Sequence, residues 1–314
     1  MIGAWLPAPT PGRLPPDAHI GPVSGALVLA AFAFGLGMAI SGSCISAHLY
    51  RLGEGSPVSP FALIGTAAGF ALGFLTWNPL YLAIVSEAPV VWLPHHLGYA
   101  GTLAASLAML ALLAILALVR ATPRPVPDPV EDAGTLAGLA RSVFQRRWPA
   151  AVGGAAVGVI SAASYLRVGP LGVTAEIGSL ARSAANGWGL LPETLHGLDG
   201  FRGCATVVKQ MLLSENALFV LGLVGASFAS ALVAGQFAPR RPSGRDIAAG
   251  LGGGLLMGWG AMTALGCTVG VLLSGIHAGA LAGWVFLIAA LGGVVLGLAL
   301  RRRLEPVFGV AVKH

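Results

Sequence analysis

The feature that most limits what this chain can fold into is a ten-residue element that occurs twice, far apart. Gly35-Leu36-Gly37-Met38-Ala39-Ile40-Ser41-Gly42-Ser43-Cys44 returns as Gly258-Trp259-Gly260-Ala261-Met262-Thr263-Ala264-Leu265-Gly266-Cys267, with the spacing G-x-G-x6-C both times. Each copy closes a long apolar segment and is followed, after a short polar or Gly-rich stretch, by another. The chain has only 3 cysteines. Two of them at equivalent places point to a duplicated unit that ends in a thiol.

Composition fixes the solvent in which that unit folds. Of 314 residues, 56% are hydrophobic and 10% charged, too few charges to cover a water-soluble protein of this size. The expected fold class is an all-α polytopic membrane protein of about 7–9 transmembrane helices. The 46 glycines argue for helices that approach closely or are interrupted as re-entrant half-helices. The formal net charge of +6 comes from cations placed between apolar segments, which serves orientation in a bilayer and leaves no basic face for nucleic acid. Three widely separated cysteines make no disulfide framework, and without CxxC or His-partnered spacing they imply no metal. No other cofactor is expected, and the cysteines are read as thiols.

In chain order, residues 1–21 carry Pro7, Pro9, Pro11, Pro15 and Pro16 and read as a Pro-rich leader, not a cleavable signal. Residues 22–120 form an N-terminal membrane repeat with spans at roughly 22–40, 60–78 and 98–119. Residues 121–147 are a cytoplasmic linker, and 148–303 a C-terminal membrane repeat with spans at roughly 148–164, 216–237, 246–265 and 279–300. Residues 304–314 are a cytoplasmic tail. The mixed polarity of residues 165–215 suits half-helices dipping into the membrane. Clusters at Arg120 to Arg147, at Arg240, Arg241 and Arg245, and at Arg301, Arg302 and Arg303 mark the cytoplasmic side. That assignment puts the amino terminus outside and the carboxyl terminus inside. The first span then runs inward before Cys44 and the sixth runs outward before Cys267, the pattern of an inverted-topology internal repeat with its binding site between the halves.

Interrupted helices present free backbone N–H groups and the positive ends of their dipoles, which hold an anion without placing full charges in the membrane. A thiol adds a soft, polarizable weak donor that costs little to bury. Thiols therefore suit a sulfur-bearing anion better than phosphate or chloride. The candidate path residues are Cys44, Cys204 and Cys267 with Gly42, Ser43, Gly203, Gly266 and Thr268. Arg202 and Lys209 flank Cys204, seven residues apart and on one face of a helix, as anion-attracting groups or as membrane-edge anchors. Glu176 is a candidate carrier of coupling protons if buried. Glu54 lies in a loop and is expected to be solvated. His48 and His277 are read as structural or interfacial histidines.

The Gly35–Cys44 element with the following Tyr50-Arg51-Leu52-Gly53-Glu54-Gly55-Ser56, the run Pro170-Leu171-Gly172-Val173-Thr174, and the Gly258–Cys267 element together resemble the YeeE/YedE family of bacterial inner-membrane sulfur transporters. The resemblance covers roughly residues 22–300. It implies a compact multi-helix fold with segments dipping inward from both sides, surrounded by membrane lipid. It also implies uptake of thiosulfate or a related sulfur or selenium species, with cysteines passing the anion along by transient S–H···S contacts. Cys44 and Cys267 carry this role by the repeated element, and Cys204 by its Gly-Cys context. Some family members hand sulfur to a small cytoplasmic TusA-like sulfurtransferase; this chain carries no such domain, so that partner would be separate. The expectation is a multi-pass transporter of the bacterial inner membrane and not an enzyme. The alternatives are a membrane-embedded sulfurtransferase forming a persulfide on Cys204 beside Arg202, a transporter of selenium or another sulfur species, or a membrane subunit that docks a sulfur-handling partner.

Overall fold

Ser24 opens the first helix by accepting a hydrogen bond from the Leu27 N–H at 3.1 Å, satisfying one of the donors a helix start leaves free. The helix that follows, α1, is Gly25–Ser41, and Gly42 ends it in the left-handed conformation at φ 86°. The chain restarts at once as α2, Ile45–Gly53. The computed structural model describes residues 20–120, 135, 148–167, 173–192, 194–198 and 215–308. Its remaining helices are α3 (Ser59–Leu80), α4 (Leu93–Arg120), α5 (Ala150–Arg167), α6 (Val173–Gly187), α7 (Glu215–Val233) and α8 (Gly244–Thr263). After a second break come α9 (Thr268–Ala278), wound as a π-helix over Thr268–Gly275, and α10 (Leu281–Phe308). No strand occurs among the described residues.

Gly25–Gly53, Ser59–Val85, Leu93–Val119, Asn216–Val233 and Leu281–Arg303 are each long and apolar enough to cross a membrane, and α8 with α9 forms a further span bent by 42°. Ala151–Ala163 is a shorter apolar helix where the fourth span was expected. The chain is an all-α, multi-pass membrane protein. The leader up to residue 19 and nearly all of the linker lie outside the described residues. The third span starts earlier than its apolar run, at Leu93 instead of about residue 98, because two helical pieces join across Gly98 at φ 67°.

Four helices make the interior: α3 packs on α8, α8 on α1, and α1 on α10. Lipid chains are as apolar as leucine, so contact between helices in a membrane depends on close packing over small residues. Glycines supply it. A Cβ at Gly37 would meet the Gly253 carbonyl oxygen at 2.5 Å and Met257 Cγ at 2.9 Å, while one at Gly260 would meet the Ala30 carbonyl oxygen at 2.5 Å and Phe34 Cβ at 3.0 Å. In the alignment of the two elements, Gly37 corresponds to Gly260, Ala30 to Gly253, and Phe34 to Met257. The two contacts are therefore the same contact made twice. As positions advance along α1 their partners recede along α8, so the two elements sit in an antiparallel pair.

The flanking helices repeat this relation. Gly69 of α3 lies against Leu255 and Trp259, and Gly293 of α10 against Phe32 and Leu36; Gly73 meets Met262, and Gly297 meets Ala39. In each pair the second contact is the counterpart of the first. Both flanking helices run parallel to the helix they cover. The core between them holds Phe34, Phe70, Phe74, Trp77, Met257 and Phe286, all at or below 1% exposure.

Candidate functional site

Each element ends in a helix break, and the two breaks have the same design. At the first, Gly42 takes φ 86° and Cys44 is the N-cap of α2. At the second, Leu265 takes φ 60°, Gly266 takes φ 155°, and Cys267 is the N-cap of α9. The counterpart of Gly42 is thus Leu265, the only described residue other than glycine with positive φ. A leucine held left-handed is strained by roughly 1–2 kcal/mol, and such strain persists only where the surroundings dictate the turn. The backbone path is therefore imposed at both breaks, even where the residue resists it.

The N-cap position places each thiol where the first N–H groups of a helix lack intrahelical partners. The local field there is positive. Cys267 belongs to the apolar core, and Cys44 packs against that core.

The two thiols differ in their partners. Cys267 is fully buried. Its Sγ accepts a hydrogen bond from Thr174 Oγ1 at 3.2 Å and one from the Val269 N–H at 3.3 Å. Cys44 is half-buried, and its side chain makes no capping hydrogen bond. The anchor at the first break is Ser43, whose Oγ accepts from Arg51 Nη1 at 2.6 Å. The same Nη1 lies 3.4 Å from the Gly42 carbonyl oxygen. Arg51 thereby places a cation beside the start of α2, an environment that attracts anions.

Of the other expected residues, Gly42 is exposed, Ser43 and Thr268 are half-buried, and Gly266 is buried. Glu176 is 6% exposed on α6, which also carries the buried Arg182, whose guanidinium carbon lies 5.9 Å from the Phe74 ring centroid. Glu54 is exposed, as a solvated loop carboxylate should be. His48 is 1% exposed, with Nδ1 3.2 Å from the hydroxyl of the fully buried Ser59, so it is structural and not interfacial. Cys204, Gly203, Arg202 and Lys209 lie outside the described residues. The nearest described chain before them is pinned to the end of α3: Trp77 Nε1 donates to the His196 carbonyl at 2.8 Å, and Asn78 Nδ2 to that of Thr194 at 2.9 Å.

The sequence reading missed Arg51 and Thr174 as site residues. Arg51 follows Cys44 by seven positions, two turns along the same helical face, and that spacing was a usable signal. Thr174 ends the family-like run Pro170–Thr174, but nothing local points to its partner Cys267, which is 93 residues away.

The sulphur transport family matches residues 5–296. The thiosulfate transporter TsuA of Spirochaeta thermophila is 26% identical over 271 residues, 82% of this chain and 72% of that protein. TsuA of Escherichia coli is 26% identical over 286 residues, 85% of this chain and 72% of that protein. The probable transporter YedE of Escherichia coli is 35% identical over 99 residues, 31% of this chain and 24% of that protein. With a match over nearly its whole length, and with the repeated glycine–cysteine breaks at its centre, the chain belongs to the sulphur transport (YeeE/YedE) family.

Proposed function

We propose that this protein is an inner-membrane transporter that takes up thiosulfate or a related sulfur-containing anion along a central path between its two antiparallel elements. The observation that carries the reading is the pair of helix breaks, each with a cysteine at the N-cap of the helix that follows. Similarity to two thiosulfate transporters over more than four-fifths of the chain supports the substrate class. Helix N-termini supply backbone donors and positive potential for an anion, and the thiols supply donors matched to a soft sulfur atom. Cys44 and Cys267 act as successive stations, with Cys204 as the third. Gly42, Ser43, Gly203, Gly266 and Thr268 shape the path, Arg202 and Lys209 draw the anion in, and Glu176 carries a coupling proton.

The basic clusters orient the molecule. Exposed Arg240 and Arg241 precede α8, exposed Arg245 lies in its first turn, and exposed Arg301, Arg302 and Arg303 lie near the end of α10. With these on the cytoplasmic side, α1 runs inward and α8 outward, so the repeat is inverted with respect to the membrane. The amino terminus is then outside and the carboxyl terminus inside. Sulfur delivered to the cytoplasm passes to a separate TusA-like sulfurtransferase.

Growth on thiosulfate as sole sulfur source, in a bacterial strain lacking other sulfur uptake, tests the reading. Expression of this protein restores growth, whereas Cys44→Ala and Cys267→Ala variants, expressed at equal level, do not. Failure of the wild-type protein to restore growth overturns the substrate. Full growth with both variants overturns the thiol path.

A further inference from the structure

We propose that Thr174 is the positioning residue of Cys267, fixing the thiol as a hydrogen-bond donor toward the transported anion. The proposal rests on the reading of Cys267 as a station for a sulfur anion, and it adds the group that sets how this thiol is presented. Thr174 is 1% exposed and lies in the first turn of α6, outside both copies of the glycine–cysteine element. Its hydroxyl donates to Cys267 Sγ at 3.2 Å, and the Val269 N–H donates to the same sulfur at 3.3 Å.

A thiol has one weak donor and a weakly accepting sulfur. With two donors directed at it, the acceptor side of Cys267 is engaged, and the S–H is left as the group that can turn to an anion. Rotation of the side chain about its Cα–Cβ bond would break both bonds, so the sulfur is held in one direction. Cys44 provides the internal contrast. It occupies the same place in its element, but its side chain makes no capping bond, and the anchoring at that break falls on Ser43 and Arg51.

The repeat therefore contains one held thiol and one adjustable thiol. A threonine is suited to the first task because its hydroxyl can be removed at almost constant shape: valine keeps the branched side chain and deletes the donor. Serine keeps the donor and deletes the methyl group.

The test uses purified full-length protein in liposomes with labelled thiosulfate. One net hydrogen bond corresponds to about a fivefold change in affinity. Thr174→Val is expected to raise KM for thiosulfate about fivefold with the maximal rate retained, and Thr174→Ser to restore the wild-type KM. A second readout is independent of transport: the S–H stretching band of Cys267 in the infrared, assigned by its loss in Cys267→Ala. That band shifts in Thr174→Val and stays in place in Thr174→Ser. If valine gives no folded protein, Thr174→Ala carries the same two expectations. An unmoved band with an unchanged KM overturns the proposal, as does a fall in maximal rate that serine does not rescue. Absence of thiosulfate uptake by the wild-type protein overturns the substrate reading instead, and the infrared result still decides whether Thr174 positions the thiol.

Discussion

Gly37→Ala and Gly260→Ala are expected to destabilise the protein by similar amounts, because they insert the same methyl group into the same contact made twice. At each site the added Cβ would lie 2.5 Å from a backbone carbonyl oxygen of the facing helix. Ordinary contact begins near 3.4 Å, so α1 and α8 would have to part by about 1 Å, a gap that forfeits a quarter to a half of the dispersion energy across the seam. Overpacking of this kind costs about 1–3 kcal/mol, and the better helix propensity of alanine returns about 0.5–1 kcal/mol. The net loss is about 1 kcal/mol, within a range of about 0–2.5 kcal/mol, for either variant. Once the helices have separated for one methyl group, the second meets less resistance, so the double variant should lose less than the sum. Gly252→Ala is the control: it lies on the same helix α8, but nothing stands within 4 Å of its Cβ position, and it should be stabilising by about 0.5–1 kcal/mol. Thermal unfolding of the four purified variants in one detergent measures all of this. Equal midpoints for Gly37→Ala, Gly260→Ala and Gly252→Ala would refute the contact. Strict additivity in the double variant would refute the shared seam.

Two more expectations concern the first break. Gly42→Ala meets no atom within 4 Å, so its cost of about 1–2 kcal/mol comes from the left-handed backbone alone; an unchanged unfolding midpoint would show that the turn can relax. Arg51→Met keeps the apolar stem but removes the bond to Ser43 and the cation beside α2. In liposomes it should raise KM for thiosulfate about tenfold while leaving the unfolding midpoint near that of wild type, and an unaltered KM would remove Arg51 from the anion path.

Much of this architecture was legible in the residues because a membrane imposes a simple code. Apolar runs of spanning length gave the helices, as Gly25–Ser41 and Gly244–Thr263 show, and the repeated element identified which two helices belong together. Their antiparallel relation followed from arginine placement alone, and the contacts of Gly37 with Gly253 and of Gly260 with Ala30 report it independently. What could not be read was where one break differs from the other. Leucine at position 265 gives no hint of a left-handed turn, since only its alignment with Gly42 suggests one. The bond from Thr174 to Cys267 joins α6 to the second glycine–cysteine element, and no local periodicity encodes such a contact. His48, read as structural or interfacial, is buried, with its Nδ1 3.2 Å from the Ser59 hydroxyl.

The most direct test of the thiol path is uptake of labelled thiosulfate by purified protein in liposomes, wild type against Cys267→Ala. A hydrogen bond to a charged group is worth about 1.5–3 kcal/mol, so losing this station should lower kcat/KM by about tenfold or more. Saturable uptake by the wild-type protein with that loss in the variant is the predicted result. Wild-type rates from a folded Cys267→Ala protein would contradict the account.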